Sequence, residues 1–200
     1  MTISYEMGNS LYLNITNRCT NACDFCVRNM HDAVNGEDVL WLEREPDLEM
    51  ISEDISKREI EKYEEIVACG YGEPMLRHDT LFEVFRWLKQ KDASIKTRIN
   101  TNGHGNLIAN YDITPEMQGI VDSLSVSMNA KDAEHYDKIC HSIYGFPAFD
   151  EMLEFAKKAK LHVPNVTLTV VDILNGEDIE ECKKIAHGLG LSFRVRKMID

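Results

Sequence analysis

The chain has 200 residues, of which 44% are hydrophobic and 28% are charged, so it is long enough to form one domain with a substantial core. Its net charge of −12 argues against a broad surface for nucleic acid or anionic membranes. No apolar run approaches the ~20 residues that a membrane span needs, and the first residues carry no export signal. Six cysteines, three of them clustered, fit a reducing cytoplasmic setting better than a disulfide scaffold.

Short apolar strands alternate with amphipathic helical patterns along the chain. The predicted strands are Leu11–Ile15, Glu65–Cys69, Lys96–Asn100, Ser123–Met128, Val166–Val171 and Ser192–Arg196. The predicted helices are Asp47–Ile60, Thr80–Lys91, Pro115–Val121, Phe149–Lys160 and Asp178–Leu189. This alternation predicts parallel strands with right-handed crossovers. Six units are two short of a closed eight-stranded barrel, so we expect an α/β fold, a partial open (β/α)6 TIM-like barrel, in a single domain over residues 1–200.

Several predicted strands alternate polar and apolar residues, whereas parallel strands buried on both faces are usually continuous apolar runs. On the fourth strand Leu124 and Val126 should face the helices, while Ser125, Ser127 and Asn129 should face the lumen of the barrel. The same alternation assigns these further polar residues to the lumen: Arg98, Asn100, Asn102, Thr167, Thr169, Arg194 and Arg196. Any single one of them is equally explained by an exposed edge or a satisfied buried network. Together they predict a ligand cavity.

Three cysteines, Cys19, Cys23 and Cys26, follow the first strand with the spacing C-x3-C-x2-C. Three close thiolates can hold three irons of a [4Fe–4S] cluster and leave the fourth iron open to a small molecule. The alternative is a zinc site with His31 as fourth ligand, although structural zinc sites usually close with a second Cys/His pair. Residues 31–46, the longest irregular stretch, follow these cysteines and are expected to cover the site.

The pattern Cys-x3-Cys-x-aromatic-Cys directly after a short strand resembles the radical S-adenosylmethionine (SAM) enzymes. The resemblance implies that the open iron binds the amino and carboxylate groups of SAM. It also implies that one electron, from an external reductant, cleaves SAM to a 5′-deoxyadenosyl radical that removes hydrogen from a substrate. Phe25 takes the aromatic position that packs near the adenine in that family. An anaerobic or protected setting follows from the resemblance too.

A second motif, Cys-Gly-Tyr-Gly-Glu-Pro at residues 69–74, follows the second strand. It is similar to the glycine-glycine-glutamate-proline loop that meets the SAM amino group in this family. An ammonium group requires carbonyl and carboxylate oxygens, and glycines let a backbone approach closely. The resemblance assigns cofactor binding to Gly70, Tyr71, Gly72, Glu73 and Pro74. The alternative is an ordinary strand-to-helix turn in which Glu73 caps a helix that begins near His78.

Polar residues at the ends of later strands complete the resemblance. Asn102 belongs to a Thr-Asn-Gly strand end, and Ser127 and Asn129 occupy the fourth-strand positions that reach the SAM ribose or carboxylate. Asp172, after the fifth strand, could bind ribose or cap the next turn. Arg196, at the end of the sixth, could bind a carboxylate of SAM or substrate, or form a surface ion pair.

The sequences Asp-Lys-Ile-Cys-His-Ser-Ile-Tyr-Gly and Val-Thr-Leu-Thr-Val-Val-Asp further resemble a compact group, the TatD-linked radical SAM proteins. The other cysteines, Cys69, Cys140 and Cys182, are scattered, so no auxiliary cluster is expected. The chain is thus predicted to be a single radical SAM core domain that uses a [4Fe–4S] cluster and SAM.

Three hypotheses remain for what the chain acts on, and no catalytic side chain is assigned. A large partner protein could close the open mouth of the barrel and receive the radical. Alternatively, a small anionic substrate could be held by Arg98 and Arg194 beneath residues 31–46. A non-catalytic electron carrier or iron–sulfur sensor would not explain the glycine loop and the polar fourth strand.

Overall fold

The structure is a computed structural model that describes residues 1–29, 33–34 and 38–198. The strands in these residues are β1 (Ser4–Met7), β2 (Ser10–Leu13), β3 (Ala33–Val34), β4 (Asp38–Val39), β5 (Glu65–Ala68), β6 (Thr97–Thr101), β7 (Ser123–Ser127), β8 (Asn165–Val171) and β9 (Ser192–Arg196). The main sheet has the order β1-β2-β5-β6-β7-β8-β9, and β3 pairs with β4 separately. All neighbours from β2 to β9 in the main sheet run parallel, whereas β1 is antiparallel to β2. The predicted open barrel of six parallel strands is therefore confirmed, with an antiparallel edge strand added.

The α-helices of the described residues are α1 (Leu48–Ser56), α2 (His78–Lys91), α3 (Gly105–Ala109), α4 (Ala133–Cys140), α5 (Pro147–Ala159) and α6 (Gly176–Gly188). Short 3-10 helices cover Val27–Asn29, Ile60–Lys62, Pro74–Arg77 and Thr114–Met117. Side-chain caps start several helices: Asp47, Asp132 and Asn175 accept backbone amides of α1, α4 and α6. None of the described helices is long and apolar enough to cross a membrane.

The predicted elements differ from the observed ones at several places. The helix expected over Pro115–Val121 is only the 3-10 turn Thr114–Met117, which Pro115 begins. The sequence analysis missed the strands β1, β3 and β4 and the helices α3 and α4. Of these, α4 matters for function because its carboxyl end lies against the loop that carries the cysteines.

The alternation predicted for the strands is present in β7. Leu124 and Val126 are fully buried against the helices, whereas Ser125 and Ser127 receive hydrogen bonds from arginines of β9. The register places Ser127 beside Thr169 of β8, and Thr169 beside Arg194 of β9. Polar side chains of adjacent strands therefore form layers across the lumen, and the carboxyl ends of the strands converge at one rim.

Candidate active site

The cysteine loop, residues 14–29, follows β2 and is held in place by α4. The amide of Ala22 donates to the Cys140 carbonyl at 3.0 Å, and the amide of Asp24 donates to the Ile139 carbonyl at 3.0 Å. Cys140 also places its thiol in hydrogen-bond contact with Cys23. The last turn of α4 therefore fixes the centre of the loop.

A buried polar network also supports the cysteine loop. Thr20 Oγ1 lies 3.0 Å from His104 Nδ1 and accepts a hydrogen bond from Asn102 Nδ2 at 2.7 Å. Asn21 Nδ2 donates to the Tyr136 hydroxyl at 2.9 Å, and that hydroxyl lies 3.3 Å from His104 Nε2. Burial lowers the pKa of His104 to about 4, so the imidazole is neutral and its two nitrogens differ in role. Of these five residues, the sequence analysis had found only Asn102.

The three thiols of the loop are free and partly buried, and all line one cavity. Burial, with a contribution from Glu73, raises the pKa of Cys19 to about 12, and burial also raises the pKa of Cys26. The hydrogen bond with Cys140 lowers the pKa of Cys23. Iron ligation requires thiolates, and the positive charge of bound iron favours their ionisation.

The sequence allows two metal groups at the three thiols, a cluster and a single zinc ion. Within the described residues, no three His, Cys, Asp or Glu side chains are grouped closely enough to hold one metal ion. Three cysteines of a [4Fe–4S] cluster bind three different irons, so their sulfurs stay farther apart than ligands of one zinc. His31, the fourth ligand in the zinc alternative, lies outside the described residues. Three free thiols at one cavity are a donor set that fits a [4Fe–4S] cluster.

The glycine loop after β5 packs against the cysteine loop. A Cβ at Gly72 would overlap the carbonyl oxygens of Thr16 and Arg18, and a Cβ at Gly70 would overlap the side chain of Asn14. These glycines are needed because two backbone segments approach closely.

Glu73 ends the glycine loop with its carboxylate almost fully buried. One carboxylate oxygen accepts hydrogen bonds from the Thr101 hydroxyl at 2.6 Å and the Met75 amide at 3.0 Å, and the other accepts from the Asn102 amide at 2.7 Å. Burial outweighs these donors and raises the pKa of Glu73 to about 7. The side chain caps the short helix Pro74–Arg77 and not the helix that begins at His78, and it also lines the cavity.

The cavity has a volume of about 220 Å³ and lies at the rim where the strands end. The predicted residues that line it are Cys19, Cys23, Phe25, Cys26, Gly70, Tyr71, Gly72, Glu73, Asn102, Ser127, Asn129 and Arg196. Asn129 has a left-handed backbone with φ 55°, and its buried Oδ1 has no hydrogen-bond partner within the described residues. A buried acceptor without a donor is costly unless a ligand supplies one.

Two predicted site residues lie outside the lining. Pro74 is buried at the first position of its 3-10 helix. Asp172 is exposed and accepts a hydrogen bond from the Met198 amide at 2.8 Å, so it contacts the segment after β9. Side chains alternate between the two faces of a strand. Thr167, Thr169 and Val171 point to the lumen side of β8, so Asp172 falls on the opposite side.

Arg196 reaches into the cavity from the end of β9. It donates to Thr169 Oγ1 at 3.2 Å and to Ser127 Oγ at 3.4 Å, and it forms no ion pair with a described carboxylate. Burial, together with the nearby Arg194 and Arg98, lowers the pKa of its guanidinium. The surface ion pair that the sequence left open is absent from the described part of the chain.

The described part of residues 31–46 lies over the two loops. Asn14 Nδ2 donates to the Leu40 carbonyl at 2.7 Å, and the Trp41 ring meets Tyr71 edge-on at 5.1 Å between centroids. Glu45 accepts from Arg18 at 2.7 Å and forms an ion pair with Arg77. These contacts join the segment to both the cysteine loop and the glycine loop.

An open parallel barrel with a three-cysteine loop at its rim defines a class of iron–sulfur proteins. The family model described as the radical SAM superfamily matches residues 13–188, so the chain belongs to this superfamily. Its members use a [4Fe–4S] cluster and SAM. The resemblance to the TatD-linked group stays a prediction.

Solved structures with this fold include SuiB of Streptococcus suis bound to the precursor peptide SuiA, at 17% identity and a TM-score of 0.66 over 96% of this chain and 39% of SuiB. A radical SAM methyltransferase from Sphaerobacter thermophilus matches at 18% identity and a TM-score of 0.67, over 97% of this chain and 57% of that one. Methylornithine synthase (PylB) matches at 16% identity and a TM-score of 0.61, over 95% of this chain and 53% of that one. At these identities the likeness shows the fold alone, and the chain spans less than two thirds of each. No curated protein sequence matches it significantly.

Proposed function

We propose that the chain is a radical SAM enzyme and that the cavity at the strand ends holds its two cofactors. When bound, the cluster and SAM supply a 5′-deoxyadenosyl radical, formed with one electron from an external reductant, that removes a hydrogen atom from substrate. The observation that carries this proposal is the meeting of three free cysteines, the glycine loop and the polar ends of β6, β7 and β9 around one cavity.

Cys19, Cys23 and Cys26 are the proposed cluster ligands. The hydrogen bond with Cys140 makes Cys23 the most readily ionised of the three. The network through Thr20 and Tyr136 holds the loop in one conformation, which a cluster with an open iron requires.

The remaining lining residues are proposed to hold SAM. Backbone carbonyls of Gly70–Gly72 and the carboxylate of Glu73 suit the ammonium group. The free Oδ1 of Asn129 can accept a hydrogen bond from a ribose hydroxyl of SAM. Ser127 suits the ribose or the carboxylate of SAM, and Arg196 suits the carboxylate. Phe25, half-buried between two of the cysteines, supplies an apolar face for the adenine. We propose that residues 31–46 cover this site within a single radical SAM core domain.

The test is low-temperature electron paramagnetic resonance on anaerobically reconstituted, dithionite-reduced protein, with and without SAM. We expect a [4Fe–4S]+ signal whose shape changes when SAM is added, followed by release of 5′-deoxyadenosine. Cys23→Ala should abolish cluster assembly, whereas the control Cys182→Ala, a buried cysteine of α6 outside the cavity, should retain it. A strong cluster signal that is indifferent to SAM would favour an electron carrier or sensor and overturn the proposal.

A further inference from the structure

A second cavity of about 380 Å³ lies in the lumen and adjoins the first. Both cavities are lined by Cys69, Gly70, Tyr71 and Asn100, so they are neighbours at the end of β5. The volume falls within the ~300–1,000 Å³ of small-molecule pockets. A molecule bound here would lie next to the proposed SAM site, as a substrate of that radical must.

The walls of this lumen cavity differ in chemistry. One side is apolar and aromatic, built by Tyr5, Met7, Tyr12, Val27 and Leu40. The Tyr5 and Tyr12 rings lie 5.3 Å apart between centroids, which makes a broad face for an apolar group. The rest of the lining is cationic, and its charged residues are Arg98, Arg194, Arg196 and Lys197. No described Asp or Glu lines the cavity.

These cations are poorly compensated for a chain of net charge −12. Arg194 donates to Ser125 Oγ at 3.3 Å and forms no ion pair with any carboxylate of the described residues. Arg98 shares one nitrogen between Glu65 at 2.8 Å and the Tyr12 hydroxyl at 3.3 Å. Its Nε is buried and has no partner within the described chain, and neither has Oδ1 of Asn100. Buried polar atoms are normally paired, so the Arg98 Nε and the Asn100 Oδ1 call for a ligand, whereas Arg194 is exposed and free to bind one.

Resting on the proposed function, we propose that the substrate is a small oxyanion, a carboxylate or a phosphate ester, that carries an apolar or aromatic group. Arg98 and Arg194 line the lumen cavity but not the SAM cavity, so they are available to the anion. A guanidinium binds either oxyanion through two parallel hydrogen bonds. The apolar group then packs on the rings of Tyr5 and Tyr12, next to Arg98, which donates to the Tyr12 hydroxyl.

Binding of simple probes to the anaerobically reconstituted protein tests this inference without turnover. The probes are phenylacetate, phenyl phosphate and the neutral benzyl alcohol, and the measurement is titration calorimetry. We expect saturable binding of at least one anion and at least tenfold weaker binding of benzyl alcohol. Phenylacetate as the tighter probe would assign a carboxylate substrate, and phenyl phosphate a phosphate ester; either result supports the proposal. No saturable binding of either anion at millimolar concentration would overturn it.

The matched variants separate charge from folding. Arg194→Gln should weaken anion binding about tenfold, or ~1.4 kcal/mol, and Arg194→Lys should restore part of the loss. Arg86→Gln, which changes an exposed arginine of α2 paired with Glu116, should bind as the unchanged protein does. Equal affinity in Arg194→Gln and Arg86→Gln would overturn the assignment. The response of the cluster signal to SAM should persist in Arg194→Gln, so loss of anion binding alone is distinguishable from failure of the proposed function.

Discussion

The close packing of the glycine loop on the cysteine loop predicts that Gly72→Ala destabilises the protein. A Cβ at this position would overlap the carbonyl oxygens of Thr16 and Arg18. Both are backbone atoms, so they cannot move aside as the end of a flexible side chain would. The amide of Glu73 donates to the same Arg18 carbonyl at 2.8 Å, so relieving the overlap also disturbs that hydrogen bond.

The expected loss follows from these two effects. Overpacking a tightly packed site costs about 1–3 kcal/mol, and losing one hydrogen bond adds about 1 kcal/mol. The free energy of unfolding should therefore fall by about 2–4 kcal/mol, with a drop in Tm of roughly 2–4 °C for each kcal/mol. Gly176→Ala is the matched control, because a Cβ there meets nothing within 4 Å at the first residue of α6. It should leave stability unchanged or raise it by about 0.4–1 kcal/mol.

Urea denaturation of the anaerobically reconstituted protein measures the difference, and iron and sulfide per chain measure cluster retention. Because Arg18 directly precedes the first cysteine, we expect Gly72→Ala to lose cluster as well as stability. If Gly72→Ala and Gly176→Ala unfold at the same urea concentration, the close approach of the two loops does not exclude a Cβ at position 72, and the reasoning fails.

Three further predictions concern single side chains of the site. Asn129→Ala should weaken SAM binding by ~0.5–1.5 kcal/mol in titration calorimetry, because it removes one proposed hydrogen bond; unchanged affinity would remove Asn129 from the site. Tyr136→Phe should lower the free energy of unfolding by about 1–3 kcal/mol in urea, because it leaves Asn21 and His104 without their buried partner; a neutral result would show that water replaces the hydroxyl. Because burial raises the pKa of Glu73 from 4.5 to about 7, the folded protein binds this proton more tightly than the unfolded chain does, and stability should be lost as pH rises through this window. Glu73→Gln should lack this pH-dependent contribution to the free energy of unfolding, so its stability relative to the unchanged protein should increase between pH 5 and pH 8. A difference in free energy of unfolding that stays constant over this range would contradict the shifted pKa.

The two loops of the site could be predicted because their information is local. The three cysteines occupy eight consecutive residues, and the glycine loop occupies six, each directly after a strand. Parallel strands place such loops at one rim, so the order of the elements was enough to bring them together. Alternation along β7 likewise assigned Ser127 to the lumen before any contact was known.

The supporting network could not be predicted in this way. Tyr136 meets Asn21 across 115 positions and His104 across 32, and no spacing rule connects them. The helix that carries Tyr136 has eight residues and only two buried positions, too few to show a helical period, although Asp132 marks its start. The edge strand β1 did have a local signal, since Gly8-Asn9 separates it from β2 as in a two-residue hairpin and Gly8 has φ 59°.

The two cavities differ in the charged residues that line them, and this difference would separate the sites of SAM and substrate. Glu73 is the one carboxylate among the described residues of the SAM cavity, and the lumen cavity has arginines and no described acid. The ammonium of SAM would therefore find an acidic partner only in its own cavity, and an anionic substrate would find only positive charge in the lumen cavity. Arg196 and Lys197 lie on the boundary and line both cavities. Since like charges near each other cost free energy at low dielectric, the arginines would disfavour binding of the SAM ammonium in the lumen cavity.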